Sequence, residues 1–347
     1  MTYDVVNRVL AFPLIERSGN QSATSVDVAR EAGVSQSTVS LVFSGKAQGR
    51  VSEATQERVR SAARELGYRP NVAAQALRLG SSRAVALLVP DITNPFFSRV
   101  LRGAQRAAQE AGYTVALVDT ANDRRWEAQS FEALRAGPVD GYLLFEVIPP
   151  EALESDNAVV VIESEVENRP SVRFDADAGA AAAFQHLVDL GHRRIGHLAA
   201  AFDAPTFHAR DAARRRVLSA AGLDPDELPR VKTPIAIEEA RIAAGPLLDE
   251  RPTAVYCDDD LIAAGLYLAA RERGLAIPGD LSVVGFDDMD FARVLEPPLT
   301  TVALDAEKLG EIAFELLEAC MAGRGGSRVV LPAELLVRES TGPPPSG

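Results

Sequence analysis

The chain has 347 residues, 47% of them apolar, a formal charge of −13 at pH 7 and two cysteines. This length exceeds one ordinary core and implies two or three domains, and taken whole the acidity argues against a nucleic-acid binder. Cys257 and Cys320 have no Cys or His at metal-ligand spacing, which points to reduced packing residues in a cytoplasmic protein.

In chain order, residues 1–21 hold a short apolar run from Val9 to Ile15, broken by Pro13 and without a convincing small-residue cleavage site. They read as a poorly ordered extension, not a signal peptide. No apolar stretch approaches a membrane span, so no membrane partner is expected. The sign of the charge then changes: residues 22–80 carry eight Lys/Arg against five Asp/Glu. Within this basic head, Thr24 with Asp27 fits a capping box, and Val28, Ala29 and Ala32 form one apolar helical face. Gly33 supplies a left-handed stop before Ser35 caps a second helix. That helix keeps Val39 and Val42 inward and turns Gln36, Ser37, Thr38 and Ser40 outward, as a helix laid in a DNA major groove requires. A third helix, from Glu53 to Leu66, is expected to bury Val59, Ala62, Ala63 and Leu66. Asn71 can cap a short helix over 72–79, too short to persist alone and expected to order only against a partner.

From Arg83 onward short apolar strands alternate with helices. Strands are expected at 84–89, 114–119, 141–145 and 159–162, and helices at 97–111 and 125–136. A second series follows Phe174: helices at 178–190, within 210–221, at 237–248 and at 261–273, and strands at 195–198, 254–256 and 282–286. Such runs imply parallel sheets, here two Rossmann-like lobes. Open parallel sheets bind ligands beyond the carboxyl ends of their strands, where Asp91 to Phe97, Asp258 to Asp260 and Asp287-Asp288 fall. Asp91 can cap a turn or touch a ligand, and Asp260 and Asp288 suit helix or loop capping. No phosphate-cradling GxxxxGK[ST] occurs, no GxGxxG follows a strand, and the four histidines offer no metal pair. No enzymatic function, cofactor or metal is expected.

Four separated motifs, DVAREAGVSQSTVS, LGYRPNVAAQALRLG, VPDITNPFF and LSVVGFDDMDFARVLEPPLTTV, resemble the LacI/GalR family of bacterial transcription regulators over about residues 22–339. The resemblance implies a small all-α helix-turn-helix head (22–70), a hinge helix (71–80) and an α/β body of two Rossmann-like lobes like the periplasmic sugar-binding proteins (81–342). The chain would cross between lobes near Phe174, near 302–305 and near 332. It further implies a ligand-responsive repressor on a palindromic operator, acting as a homodimer, with a sugar-like effector between the lobes. A dimer is expected because residues 338–347 are Pro/Gly-rich and lack leucine heptads. Leu77 would be the minor-groove wedge, although without the family it reads as an ordinary linker residue. Phe96 and Phe97 would cover the ligand, with Phe97 alternatively in the core and only Phe96 exposed. Arg210 and Asp287 would make charged hydrogen bonds, and Asp259 stands where the family often has asparagine, making the pocket more acidic. Lys46 and Arg50 suit phosphate contacts. Leu41 replaces a usual arginine and suits a thymine methyl instead of a guanine. With a loop over 45–51 longer than usual, Leu41 also supports an alternative, a ligand receptor with a degenerate DNA-binding head.

Overall fold

A computed structural model describes residues 23–69, 81–135, 139–145 and 158–345. The N-terminal extension and the hinge segment with Asn71 and Leu77 lie outside the described residues. The chain divides into two compact units, Met1–Leu79 and Gly80–Gly347. Among the described residues no helix is long and apolar enough to cross a membrane.

The first unit holds α1 (Ser25–Glu31), α2 (Gln36–Phe43) and α3 (Glu53–Glu65). Its helices begin where side chains satisfy the free backbone amides of the first turn. Thr24 and Asp27 form the reciprocal capping box, with Thr24 N donating to Asp27 Oδ2 at 2.9 Å. Ser35 Oγ accepts from Thr38 N at 3.1 Å and Ser52 Oγ from Thr55 N at 3.3 Å. Gly33, at φ +61°, makes the reversal between α1 and α2 in a conformation that a side chain would resist. Val28, Val39, Val42, Val59, Ala62 and Ala63 form the core. Leu66 departs from expectation: it is 37% exposed because it sits at the C-cap, one step beyond the last helical turn. Tyr68 packs in its place, edge-on to Phe43 at 5.6 Å. The long loop that favoured a degenerate head instead inserts Ala47, 3% exposed, into this core.

Among its described residues the second unit contains two six-stranded sheets. The first has the order β11-β5-β4-β3-β1-β2, built from β1 (Ala84–Val89), β2 (Thr114–Asp119), β3 (Gly141–Phe145), β4 (Ala158–Ile162), β5 (Ser171–Phe174) and β11 (Arg328–Leu331). All its pairings are parallel. The second has the order β12-β10-β9-β8-β6-β7, from β6 (Ile195–Ala200), β7 (Arg230–Thr233), β8 (Ala254–Cys257), β9 (Ser282–Asp287), β10 (Thr300–Ala303) and β12 (Glu334–Leu336). Only β12 there runs antiparallel. The central strands are buried along their length, as parallel strands covered by helices on both faces must be. The covering helices are α4 (Pro95–Glu110), α5 (Arg124–Arg135), α6 (Ala176–Asp189), α7 (Pro205–Ala220), α8 (Ile237–Asp249), α9 (Asp260–Glu272) and α10 (Ala306–Met321). The chain leaves the first sheet after β5, returns after β10 through α10, which packs on α4 and β4, and divides β11 and β12 between the sheets.

Two helices start earlier than their apolar pattern suggests, because each opens on a proline at its first turn, Pro95 in α4 and Pro205 in α7. Helices α4 and α10 cross with backbones nearly touching: a Cβ at Gly103 would lie 1.8 Å from Glu307 O, and one at Gly310 2.0 Å from Val100 O. The obstruction is backbone, so no rotamer change relieves it. Gly310→Val is expected to cost at least about 3 kcal/mol by overpacking, read as a lower urea midpoint. An unchanged midpoint would refute the close crossing.

Candidate functional site

A cavity of about 380 Å³ opens beyond the carboxyl ends of strands from both sheets. The first sheet's side of its wall holds Asp91, Phe96, Phe97, Phe145 and Glu163, and the second's Phe202, Phe207, Arg210, Asp258, Asp259 and Asp287. Every effector residue expected from the sequence therefore lines one cavity.

Asp91 Oδ1 accepts from Thr93 N at 2.9 Å and Thr93 Oγ1 at 2.6 Å, so this residue shapes its turn and faces the cavity at once. The two phenylalanines reverse one expectation. Phe96 is the more buried, at 9% exposure, and Phe97 is the half-buried one. With Asn94 capping α4 through Phe96 N at 2.9 Å, position 96 falls on the same face as Val100, Ala104 and Ala108, all buried. Phe97 is turned toward the cavity, with Phe145 edge-on to it at 5.1 Å. Phe145 escaped the sequence reading, although an aromatic at the carboxyl end of a buried strand is a usable signal.

Arg210 lies on α7 and is 5% exposed. Its guanidinium lies 3.6 Å from the Phe286 ring centroid and 4.9 Å from that of Phe207, a stacked arrangement that offsets some of the cost of burying the charge. Nη1 donates to the Asp258 carbonyl and Nη2 to Thr206 Oγ1, whereas the buried Nε has no hydrogen-bond partner among the described residues. Asp258 is held elsewhere: Oδ2 accepts from Ala200 N at 2.8 Å, and Oδ1 lies 3.1 Å from His197 Nε2. His197 Nδ1 accepts from Arg230 Nε at 3.2 Å, which leaves the ring proton on Nε2, facing the carboxylate. Burial opposes ionisation of Asp258, but His197, Arg210 and the Ala200 amide together hold its carboxyl below the usual range.

Asp259 caps α9 by accepting from Leu261 N at 2.7 Å, and its Oδ2 accepts from Asn94 Nδ2 at 3.0 Å across the two lobes. Burial pushes its carboxyl up to about 6. Asp287 ends β9 at φ +116°, and burial reinforced by the nearby Asp259 charge pushes it well above the usual range. The two carboxyls act on each other and titrate as a pair. Their neighbours serve the scaffold. Asp260 accepts from Thr301 Oγ1 at 2.6 Å and Met289 N at 2.8 Å, and burial raises it to about 8. Asp288 pairs with Arg293 at 3.0 Å and with Arg338.

On the first unit, Gln36 and Ser37 of α2 are exposed, and Thr38, Ser40 and Leu41 half-buried. Part of this polar row is engaged internally. Gln36 Nε2 donates to Ser25 Oγ at 2.9 Å, bracing α2 on α1, and the hydroxyls of Ser37 and Thr38 bond Ser35 Oγ. Lys46 and Arg50 are exposed on the loop after α2.

A helix-turn-helix unit on one chain with a two-lobed body enclosing such a cavity defines a ligand-responsive, DNA-binding transcription regulator. Residues 25–71 match the lacI family of bacterial regulatory proteins, and residues 184–341 a periplasmic binding protein-like domain. The repressor CytR of Escherichia coli (strain K12) is 34% identical over 332 residues, 92% of this chain and 96% of its own. The repressor PurR of Photobacterium profundum is 31% identical over 330 residues, 92% of this chain and 98% of its own. The lac repressor dimer bound to operator and the anti-inducer ONPF matches with a TM-score of 0.80 at 26% identity, covering 93% of this chain and 100% of that one. The chain belongs to the lacI family of bacterial regulatory proteins.

Proposed function

We propose that the protein is a cytoplasmic repressor that binds a palindromic operator as a homodimer and responds to a sugar or sugar derivative. The observation that carries the ligand class is Arg210 stacked on Phe286 beside Asp287, in a cavity that also presents Phe97 and Phe145. A fixed guanidinium and carboxylates suit vicinal hydroxyls, and aromatic faces suit the apolar side of a sugar ring. Two related structures point the same way: the regulator CelR as its cellobiose complex, at 30% identity and TM-score 0.69 over 92% of this chain and 99% of that one, and a regulator from Enterococcus faecium with bound ribose.

In this reading Gln36, Ser37, Thr38, Ser40 and Leu41 meet base edges, Lys46 and Arg50 meet phosphates, and Asn71 with Leu77 enter the minor groove. The test is a titration of a palindrome from the protein's own upstream region, followed by anisotropy at several salt concentrations, with and without sugars. Lys46→Ala or Arg50→Ala should weaken all DNA alike and flatten the salt dependence by about one unit of log–log slope. Loss confined to one operator base would remove either residue from a phosphate role. Equal affinity for the palindrome and for scrambled DNA would refute the repressor reading.

A further inference from the structure

We infer that Asp140 is a positioning residue for operator binding: it clamps residues 81–83, fixes where and in which direction the chain leaves the body toward the DNA-binding head, and so sets the half-site spacing that a dimer accepts. This goes beyond the proposed function and rests on its palindromic operator.

One carboxylate builds the clamp. Ser81 is the first described residue of the second unit, and Asp140 lies in the turn before β3. Asp140 Oδ1 accepts from Ser82 N at 2.7 Å and Ser82 Oγ at 2.8 Å, and Oδ2 accepts from Arg83 N at 3.0 Å and from Ser81 Oγ. The Asp140 amide in turn donates to Ala84 O at 2.8 Å, so the turn and the incoming chain hold each other. Burial opposes ionisation of this carboxyl, but the bonds from Ser81, Ser82 and Arg83 hold it below the usual range. Charge-assisted bonds from three consecutive residues fix backbone as well as side chains.

The chain bends under that grip. Arg83 sits at φ +56°, a left-handed conformation that residues with a side chain seldom adopt. Three further contacts keep it there: Arg83 O accepts from Thr114 N at 2.9 Å, its Nη1 donates to Ala111 O at 3.4 Å, and its guanidinium lies 4.9 Å from the Tyr113 ring centroid. The take-off is thereby tied to the amino ends of β1, β2 and β3 together. Strand β1 begins only at Ala84 and needs neither a left-handed lead-in nor a shared carboxylate to pair with its neighbours, so the clamp serves the segment before the strand.

Two of these strands also reach the cavity. β1 and β3 pair in parallel, and Asp91, just beyond β1, and Phe145, the last residue of β3, both stand in the cavity wall. At about 3.3 Å per residue, the clamp lies roughly 15–20 Å from that wall, at the opposite edge of the same sheet. A movement of the first sheet carries the take-off with it.

Spacing makes the role measurable. One inserted base pair moves a half-site by about 3.4 Å and rotates it by about 35°. A fixed take-off turns that displacement into lost affinity, whereas a loose one absorbs it.

The experiment measures anisotropy of the full chain on a palindrome from its own upstream region, on the same palindrome with one base pair inserted at its centre, and on scrambled DNA. Wild type should prefer the native spacing by about tenfold or more. Asp140→Ala should cut that preference by about threefold or more, through weaker binding of the native site with scrambled DNA unchanged. Asp140→Asn and the double variant Ser81→Ala, Ser82→Ala should fall between. A body that merely unfolds in part loses affinity for both palindromes by one factor, so the ratio separates positioning from stability. Amide exchange gives an independent reading: Ser82 and Arg83 amides should exchange about tenfold or more faster in Asp140→Ala than in wild type. Equal affinity of wild type for both spacings, a spacing preference equal to wild type in every variant that folds, or unchanged exchange at these amides would overturn the inference and leave the repressor reading standing. Wild-type binding of scrambled DNA as tightly as the palindrome would remove both.

Discussion

Arg210→Ala is expected to abolish the effect of ligand on operator affinity and to destabilise the body by about 3–5 kcal/mol, the usual cost of removing one partner of a buried charge cluster. The guanidinium is 5% exposed, stacks on Phe286 and faces Asp258, Asp287 and Glu163, so its loss leaves buried negative charge without a counterion. Arg210→Lys should rescue part of the stability but little of the response, because an ammonium keeps the charge and lacks the planar fork. Asp287→Asn makes the contrasting case. Burial and the neighbouring Asp259 push the Asp287 carboxyl well above its usual range, so a neutral amide of the same shape should hold stability near wild type while removing the ligand response. Urea melts with operator anisotropy, plus and minus ligand, separate the two effects. A normal response in Arg210→Ala would remove this residue from the site.

Stability of the ligand-free protein should fall as pH rises from about 5 to about 9, with a loss on the order of a few kcal/mol. Asp259 is raised to about 6, Asp260 to about 8 and Asp287 well above the usual range, in each case chiefly by burial. A carboxyl raised in the fold above its unfolded value of about 4 contributes fully below that value, and its contribution is lost as pH climbs through the folded value. Asp258 and Asp288 are lowered and act in the opposite direction, their contribution vanishing only as pH falls below the ordinary carboxylate range. Asp260→Asn should retain the bonds with Met289 N and Thr301 Oγ1 and flatten the upper part of the slope. Equal urea midpoints for wild type at about pH 5 and about pH 9 would contradict this account.

The head was legible in detail because its folding signals are local: Thr24, Ser35 and Ser52 cap within three residues of themselves, and Gly33 turns where only glycine is comfortable. The body's buried strands and long helices were legible for the same reason. What sequence periodicity missed depends on partners far along the chain. Strand β7, Arg-Val-Lys-Thr at a sheet edge, has no apolar run, and the short β11 and β12 are defined by pairing with strands elsewhere. The inverted burial of Phe96 and Phe97 shows how sensitive a site is to helix phase, since starting α4 at Pro95 decides which ring joins Val100 and Ala104. The site's chemical logic lies furthest from the sequence. Asn94 bonding Asp259, and His197 beside Asp258, join residues separated by 165 and 61 positions, respectively.

The chain's passage between the sheets after β5, after β10 and between β11 and β12 also sets an order of assembly on the ribosome. The first lobe's strands β3, β4 and β5 emerge early but must wait for α10, which packs on them, and for β11 until about residue 331 has been made. Meanwhile the three-helix head, closed by contacts within residues 23–69, is already complete. Premature termination between the end of the head and α10 therefore yields a polypeptide with a finished head and two unfinished lobes, their apolar faces open to chaperones and proteases. Such a fragment would carry a DNA-binding head without a working sensor.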